Sequence, residues 1–93
     1  MGNYGLQSII ARNEEITAAN MDGEVVMMNI DTGNYYNLGR TGSVIWNLLE
    51  EPVSVESLID KLTDIYQVGR TQCEEELQAF LTELSREGLV IIR

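Results

Sequence analysis

The stretch G-N-Y-Y-N-L-G-R-T-G-S-V-I-W-N-L-L, residues 33–49, marks the change from strand to helix in this chain. Its first part, residues 35–38, predicts a short strand, and a glycine-flanked turn then leads directly into a helix rich in large apolar residues. The chain before this stretch has the patterns of strands, and the chain after it has mostly those of helices. The sequence therefore predicts an α+β fold.

The strand at residues 35–38 is expected to be the last strand of its sheet and so to lie at an edge. An edge strand presents N–H and C=O groups that have no partner within the sheet. Beside a helical groove, such an edge allows an extended segment of another chain to be added as a further strand. The first functional prediction is therefore a peptide-binding site at this edge.

Two earlier strands are predicted from the alternation of residues after Glu14. Turn residues at 20–23 separate these two strands, and a second turn at 31–34 leads into the third strand. The strand residues expected to face the core are Ile16, Ala18, Val26, Met28 and Ile30. Two short hairpins in succession predict a three-stranded antiparallel N-terminal sheet in which the strands follow chain order.

The two helices that follow are each introduced by a candidate cap. The first, about residues 42–50, begins after Thr41, and the second, about residues 55–67, begins after Ser54. Their expected core residues recur at the spacing of an amphipathic helix. These residues are Val44, Ile45, Leu48, Leu49, Val55, Leu58, Ile59, Leu62, Ile65 and Tyr66.

The third helix is predicted to open at the T-x-x-E capping box of residues 71–74 and to run to about residue 87, before Gly88. Residues 89–92 are β-branched and apolar, which indicates a short terminal strand or a packed tail. Three strands followed by three helices with short connections predict a winged-helix-like bundle. Residues 1–13 are expected to form an arm or a weak first strand, and residues 14–93 a single peptide-recognition domain.

Composition excludes several classes of function. The net charge is −9, and the few basic residues are scattered singly, so nucleic acid is not expected as a partner, whereas a neutral or basic peptide is. The alternative is that the acidity only keeps a small protein in solution. No apolar run is long enough to span a membrane, and residues 1–12 lack the features of a signal peptide, so we expect a cytoplasmic protein without a membrane partner.

The residues needed for catalysis are missing from the sequence. There is no histidine, no glycine-rich phosphate loop and only one cysteine, Cys73, so no catalytic residue, metal site or cofactor is expected. The acidic residues Glu74 and Glu75 are explained by the positive end of the helix dipole. The third helix also carries five carboxylates against Arg86 alone, which opposes a role in DNA binding.

A binding module remains, and one flank of the third helix supplies candidate contacts. Along this flank small, acidic and aromatic residues follow at helical spacing: Cys73, Glu76, Phe80 and Glu83. An extended peptide could pair with residues 35–38, bury apolar side chains against Phe80 and place basic side chains near the two acids. The alternative is that Phe80 is part of the core and the acids form a solvated face. Adjacent Tyr35 and Tyr36 must point to opposite faces of the strand.

These residues also resemble a known family. The segments G-N-Y-Y-N-L (33–38), T-G (41–42) and V-I-W (44–46), with F-L (80–81) and G-L (88–89), resemble the PqqD-like family of leader-recognition elements in ribosomally made peptide pathways. The resemblance extends over about residues 14–89. Free-standing members of this size and acidity look most like the leader-binding partner of the lasso-peptide protease.

The resemblance implies a function without catalysis. Such domains are implied to bind the leader of a precursor peptide as an added strand and to hold it for a transglutaminase-like protease and a cyclase. Carried over by position, the contacts fall on Tyr35, Tyr36, Asn37 and Leu38, with the Cys73, Glu76, Phe80 and Glu83 flank inferred from spacing. The alternatives are a PqqD-type chaperone for another modified-peptide or quinone-cofactor pathway, and a non-enzymatic oligomerisation adaptor.

Overall fold

A computed structural model describes residues 5–93 of the chain. Over this range the elements are, in order, β1 (Ile9–Arg12), β2 (Ile16–Met21), β3 (Glu24–Asn29), β4 (Asn34–Asn37), α1 (Gly39–Leu48), β5 (Val53–Ser54), α2 (Val55–Tyr66), α3 (Arg70–Arg86) and β6 (Val90–Ile92). Within the described range the strands form two antiparallel three-stranded sheets, in the orders β2-β3-β4 and β5-β1-β6. The predicted α+β class and the predicted three-stranded meander are confirmed, and the second sheet was not foreseen.

The two turns of the meander form where the sequence predicts them. Asp22 and Gly23 both have positive φ, 55° and 83°, which is the geometry of the tight hairpin turn that matches strand twist. At the second turn Gly33 has φ 75°, and its N–H donates to the carbonyl of Asn29 at 2.7 Å. The local residues therefore fix the order of β2, β3 and β4, since each turn directs the chain back along the strand before it.

The predicted core face of β3 is wrong. Val25, Met27 and Asn29 are buried, whereas Val26 and Met28 are half-buried on the other face and the predicted Ile30 is 63% exposed just beyond the strand. Alternation could not choose the face, because Val and Met occur on both faces of this strand. Packing against α1 decides it. The buried Val25 N–H donates to Ser43 Oγ of α1 at 2.6 Å. On β2, Ile16 is half-buried and Ala18 is exposed.

The N-terminal segment contributes a strand to the core. Of residues 1–13, the first four lie outside the described residues, and β1 (Ile9–Arg12) lies between β5 and β6 in the second sheet. Ile10 is fully buried there. Arg12 stacks over the Trp46 ring, 4.7 Å from its centroid, and donates to the Trp46 carbonyl at 2.6 Å. This segment takes the form of a first strand, while the domain boundary at residue 14 stays a prediction.

Two of the three predicted helix caps are wrong. No side chain caps α1, which begins at Gly39 rather than after Thr41; the Gly39 N–H is instead bonded to Asn37 Oδ1 at 2.9 Å. Helix α3 begins at Arg70 after Gly69, without a side-chain cap from Thr71. An ion pair of 2.7 Å between Arg70 and Asp60 of α2 accompanies this earlier start.

The start of α2 and the end of α3 agree with the sequence. Ser54 caps α2, and its Oγ accepts from the Ser57 N–H at 3.1 Å. Helix α3 ends at Arg86, and Gly88 follows with φ 76°, while Leu89 N–H donates to the Leu84 carbonyl at 2.9 Å. This bond closes the helix and directs residues 89–92 into β6, the terminal strand that was one of the two predicted forms.

The core lies between the two sheets and the helices. Its fully buried large residues include Ile10, Met27, Leu49, Leu58, Ile59, Leu81 and Leu89. The predicted core residues Ile65 and Tyr66 are instead 50% and 39% exposed, because the last turn of α2 extends past the core. Among residues 5–93, no helix is long and apolar enough to cross a bilayer.

Candidate functional site

Strand β4 lies at an open edge of its sheet. In the part of the chain that the structure describes, β4 pairs with β3 on one side and with no strand on the other. The register places Met27 opposite Tyr36 and Met28 opposite Tyr35. The edge predicted from the sequence at residues 35–38 is therefore present, with the strand itself assigned as Asn34–Asn37.

The hydrogen-bond alternation shows which backbone groups face outward. Leu38 N–H donates to the Val25 carbonyl at 3.2 Å, so Leu38, and two residues earlier Tyr36, direct their N–H and C=O groups towards β3. The groups of Tyr35 and Asn37 must then point to the open side. A guest strand would form its backbone hydrogen bonds with these two residues.

The two tyrosines take opposite faces, as predicted. Tyr36 is half-buried and packs against the core, and its hydroxyl donates at 2.8 Å to Oε1 of Glu87, which directly follows α3. Tyr35 points to the other face and is 74% exposed. Leu38 lies on the same face as Tyr36 and also packs against the core. Tyr36 therefore ties β4 to the end of α3, while Tyr35 remains available to a partner.

An apolar cleft opens next to the end of β4. It has a volume of about 490 Å³ and lies between the start of α1, the end of α2 and the first half of α3. Its lining residues are Leu38, Thr41, Gly42, Ile45, Leu62, Tyr66, Val68, Cys73, Glu76, Leu77 and Phe80. Because this cleft adjoins the open edge, a guest strand along β4 would direct alternate side chains into it.

Phe80 forms one wall of the cleft by lying against α1. A Cβ placed on Gly42 would lie 3.0 Å from Cζ of Phe80 and 2.9 Å from Cβ of Leu38, closer than side chains normally approach. Only glycine at this position allows the ring to rest on the helix backbone. The ring is half-buried and packs against the core on one side, so Phe80 is at once a core residue and a cleft residue.

The electrostatics of the cleft are set by one acid. Among the described lining residues, Glu76 alone is charged; it is exposed at the rim, and its Oε2 accepts from Gln72 Nε2 at 3.1 Å. Burial, and to a smaller extent the charge of Glu76, raise the pKa of the Cys73 thiol. The thiol is therefore protonated at neutral pH and acts as a small apolar group.

The structure brings together most of the residues selected from the sequence. Leu38, Cys73, Glu76 and Phe80 line the cleft, and Tyr35, Tyr36 and Asn37 form the edge beside it. Glu83 does not line the cleft; it is exposed and forms an ion pair of 3.5 Å with Arg86. Within residues 5–93, no group of Cys, Asp and Glu side chains is arranged to hold a metal ion.

Several lining residues of the cleft, most of them in or next to α1 and α2, were not predicted from the sequence. The missed residues are Thr41, Gly42, Ile45, Leu62, Tyr66, Val68 and Leu77. In the structure Tyr66 and Val68 follow the last buried position of α2 and are 39% and 41% exposed, although the helical spacing had placed Tyr66 in the core. Exposed apolar residues grouped at a helix end indicate a binding surface.

A family model matches most of the chain. Residues 24–90 match the model described as coenzyme PQQ synthesis protein D (PqqD). The matched range includes the edge strand β4 and the helices that bound the cleft. No curated protein sequence matches the chain.

Two solved structures share the fold. One, TbiB1 in complex with the TbiA(beta) leader peptide, superposes with a TM-score of 0.81 at 35% sequence identity, covering 86% of this chain and 93% of its own. The other, lasso peptide synthetase B1 complexed with the leader peptide, gives a TM-score of 0.72 at 25% identity and covers 88% of this chain and 96% of its own. Both similar proteins were solved with a leader peptide bound.

Proposed function

The chain belongs to the PqqD family, and on this premise we propose that it binds the leader segment of a ribosomally synthesised precursor peptide. The leader of a lasso-peptide precursor is the preferred guest, because the two similar structures are complexes of that kind. The guest adds as a strand along β4. The observation that carries this proposal is the open edge of β4 beside an apolar cleft of about 490 Å³.

The guest peptide makes two kinds of contact in this geometry, one through its backbone and one through its side chains. Its backbone pairs with the outward N–H and C=O groups of Tyr35 and Asn37, which supplies affinity with little regard to sequence. Alternate side chains enter the cleft between Leu38 and Phe80, where apolar lining selects apolar residues. Two or three buried anchors of this kind carry most of the binding energy in a typical interface.

Charge contributes less than the apolar cleft. Glu76 lies at the rim and is placed to favour a basic guest side chain, while Cys73 lies within the cleft. Tyr36 acts indirectly, because its hydroxyl bond to Glu87 holds β4 against α3. Glu83 lies outside the cleft, so only a long guest side chain that extends beyond the cleft would reach it. Rim charges in water are worth less than about 1 kcal/mol each.

The proposed role is recognition without catalysis. By holding the leader, the protein raises the local concentration of the precursor at a transglutaminase-like protease and a cyclase, which carry out the chemistry. Because the precursor is made on ribosomes, this encounter takes place in the cytoplasm. The net charge of −9 favours guests and partners that are neutral or basic.

Replacing Asn37 tests the backbone contact. Asn37→Pro removes an outward N–H without breaking the ladder between β3 and β4, so the fold is retained while leader addition is lost. Asn37→Ala is the matched control, because it also removes the bond that Gly39 N–H donates to Asn37 Oδ1 but keeps the backbone N–H of residue 37. Fluorescence anisotropy with labelled leader peptide is expected to show a much larger loss for Asn37→Pro. Equal affinities for the two variants would contradict strand addition at β4.

The family description gives a second candidate guest. Because the matching model is that of coenzyme PQQ synthesis protein D, the precursor peptide of a quinone-cofactor pathway is the alternative. Parallel titrations with a lasso-type leader and a quinone-cofactor precursor distinguish the two guests.

Sedimentation of the free protein tests the remaining alternative, an adaptor in which two copies pair through β4. Such a protein is dimeric without peptide, whereas a recognition domain takes up one peptide as a monomer.

A further inference from the structure

The β2-β3-β4 sheet has a second open edge at β2. In the described part of the chain, β2 pairs with β3 and has no neighbour on its other side. Its sequence, I-T-A-A-N-M, has no charged residue and no proline, although the protein carries a net charge of −9. Edge strands are normally protected by charges, prolines or bulges, and an unprotected edge is a site for pairing with another chain.

The register identifies the free backbone groups of β2. Since the carbonyls of Val25 and Asn29 accept from the N–H groups of Leu38 and Gly33 on the β4 side, the alternate residues Glu24, Val26 and Met28 direct their backbone groups towards β2. Their partners are Met21, Ala19 and Thr17. The remaining residues of β2 therefore have outward N–H and C=O groups. The N–H of Ile16 is consistent with this, because it donates to the Asn13 carbonyl at 3.2 Å rather than to β3.

A second cleft lies beneath this edge. It has a volume of about 450 Å³ and is lined by Ala11, Arg12, Asn13, Glu14, Ile16, Ala18, Trp46, Leu49, Glu50 and Pro52. Trp46 and Leu49 are buried and form an apolar floor. Arg12 is held by its stacking on the Trp46 ring and its bond to the Trp46 carbonyl. The exposed charges around the cleft are the carboxylates of Glu14 and Glu50.

The charges around β2 select the kind of partner. Acidic residues flank the strand at both ends, Glu14 and Glu15 before it and Asp22 after it. A second copy paired antiparallel through β2 would place Glu14 opposite Asp22 and would bring together two chains of charge −9. An extended segment with an uncharged centre and Lys or Arg at its ends instead meets opposite charge at both ends.

We propose that β2 is a second strand-addition edge, which docks an extended segment of the processing enzyme with an uncharged centre flanked by Lys or Arg. The identity of this partner as the processing enzyme rests on the proposed function. Strands β2 and β4 lie on opposite sides of β3, about 10 Å apart at the usual strand spacing. The leader and the enzyme can therefore be bound at the same time, on opposite edges of one sheet.

Ala18→Pro tests this edge in the full chain. The substitution removes an outward N–H of β2 and leaves β4 unchanged, so the affinity for labelled leader peptide is expected to stay within about twofold of the wild type. In a reconstituted reaction with the processing protease and the precursor, the rate of leader removal is expected to fall by about tenfold or more. Higher ionic strength is expected to slow the wild-type reaction more than it weakens leader binding.

A charge-reversal pair provides the matched control. Glu50 lines the second cleft, whereas the neighbouring Glu51 is exposed outside it. Glu50→Lys is expected to slow leader removal several-fold, and Glu51→Lys is expected to leave it unchanged. This pair also decides the question if Ala18→Pro fails to fold by circular dichroism, since both positions are exposed.

The outcomes separate the two proposals. If folded Ala18→Pro and Glu50→Lys process the precursor at the wild-type rate, docking at β2 is refuted. If sedimentation shows a wild-type dimer that Ala18→Pro dissociates, the occupant is a second copy and the named partner is wrong. If the wild-type protein does not bind the leader at all, the proposed function fails independently of β2.

Discussion

Truncation of Phe80 separates a binding contact from a core contact. The ring is half-buried: one side packs against the core and Gly42, and the other side faces the cleft beside β4. Phe80→Ala removes the wall of the cleft and widens it towards α1. Both the stability of the fold and the affinity for the leader are therefore expected to fall, by different amounts.

The two losses can be estimated from the burial of the ring. Fully burying a Phe side chain is worth about 1.5–3 kcal/mol, so a half-buried ring at the border of the core should contribute about 1–2 kcal/mol to the free energy of unfolding. When the guest covers the other side, the ring becomes a central, desolvated anchor. Such anchors cost about 2 kcal/mol or more on truncation, which corresponds to about 30-fold in Kd.

Leu48→Ala is the matched control for this experiment. Leu48 is also half-buried against the core, but it does not line the cleft. Urea denaturation followed by circular dichroism should show similar losses of stability for the two variants. Anisotropy titration with leader peptide should show a large loss of affinity for Phe80→Ala alone.

Two results would refute this reasoning. If Phe80→Ala binds leader as tightly as the wild type, the ring is a core residue only and the guest does not enter the cleft. If Leu48→Ala loses as much affinity as Phe80→Ala, the effect comes from general destabilisation rather than from a contact with the guest.

Two further substitutions test the cleft. Gly42→Ala is expected to weaken leader binding about tenfold, because a methyl group 3.0 Å from Cζ of Phe80 must push the ring into the cleft; a titration showing unchanged affinity would contradict this geometry. Burial raises the pKa of the Cys73 thiol in the folded protein above its ordinary value of 9.0, which applies to the unfolded chain. The protonated thiol therefore contributes stability that is fully present below pH 9.0 and is lost as the pH rises through the pKa of the folded state. The unfolding free energy of the wild type should therefore decline more steeply above pH 9.0 than that of Cys73→Ala, and parallel curves from urea denaturation would show that the thiol is not perturbed.

Local sequence was sufficient for the elements whose conformation depends on neighbouring residues. Asp22 and Gly23 form the tight turn because they tolerate positive φ, and Ser54 caps α2 because its side chain reaches an N–H three residues away. The order of β2, β3 and β4 follows from the two short turns that join them, and this order places β4 at an edge of the sheet. The resemblance to the PqqD family likewise depends on local motifs, in residues 33–49 and in the closing helix.

Tertiary structure decided what depends on residues distant in sequence. The buried face of β3 was predicted wrongly because Val and Met occur on both faces, and only packing against α1 chose Val25 and Met27. The central position of β1 in the second sheet follows from pairing with β5 and β6, which come much later in the chain.

The sequence by itself predicted an edge strand at residues 35–38, which the structure assigns as Asn34–Asn37, and selected Phe80 as a candidate contact beside it. The structure alone decided the shape of the cleft, because its walls come from α1, α2 and α3 together. It also decided which backbone groups point outward, since a one-residue change in register would exchange Tyr35 and Asn37 for Tyr36 and Leu38. Register and cleft shape arise from contacts between segments that no local pattern specifies, so they appear only when the chain has folded.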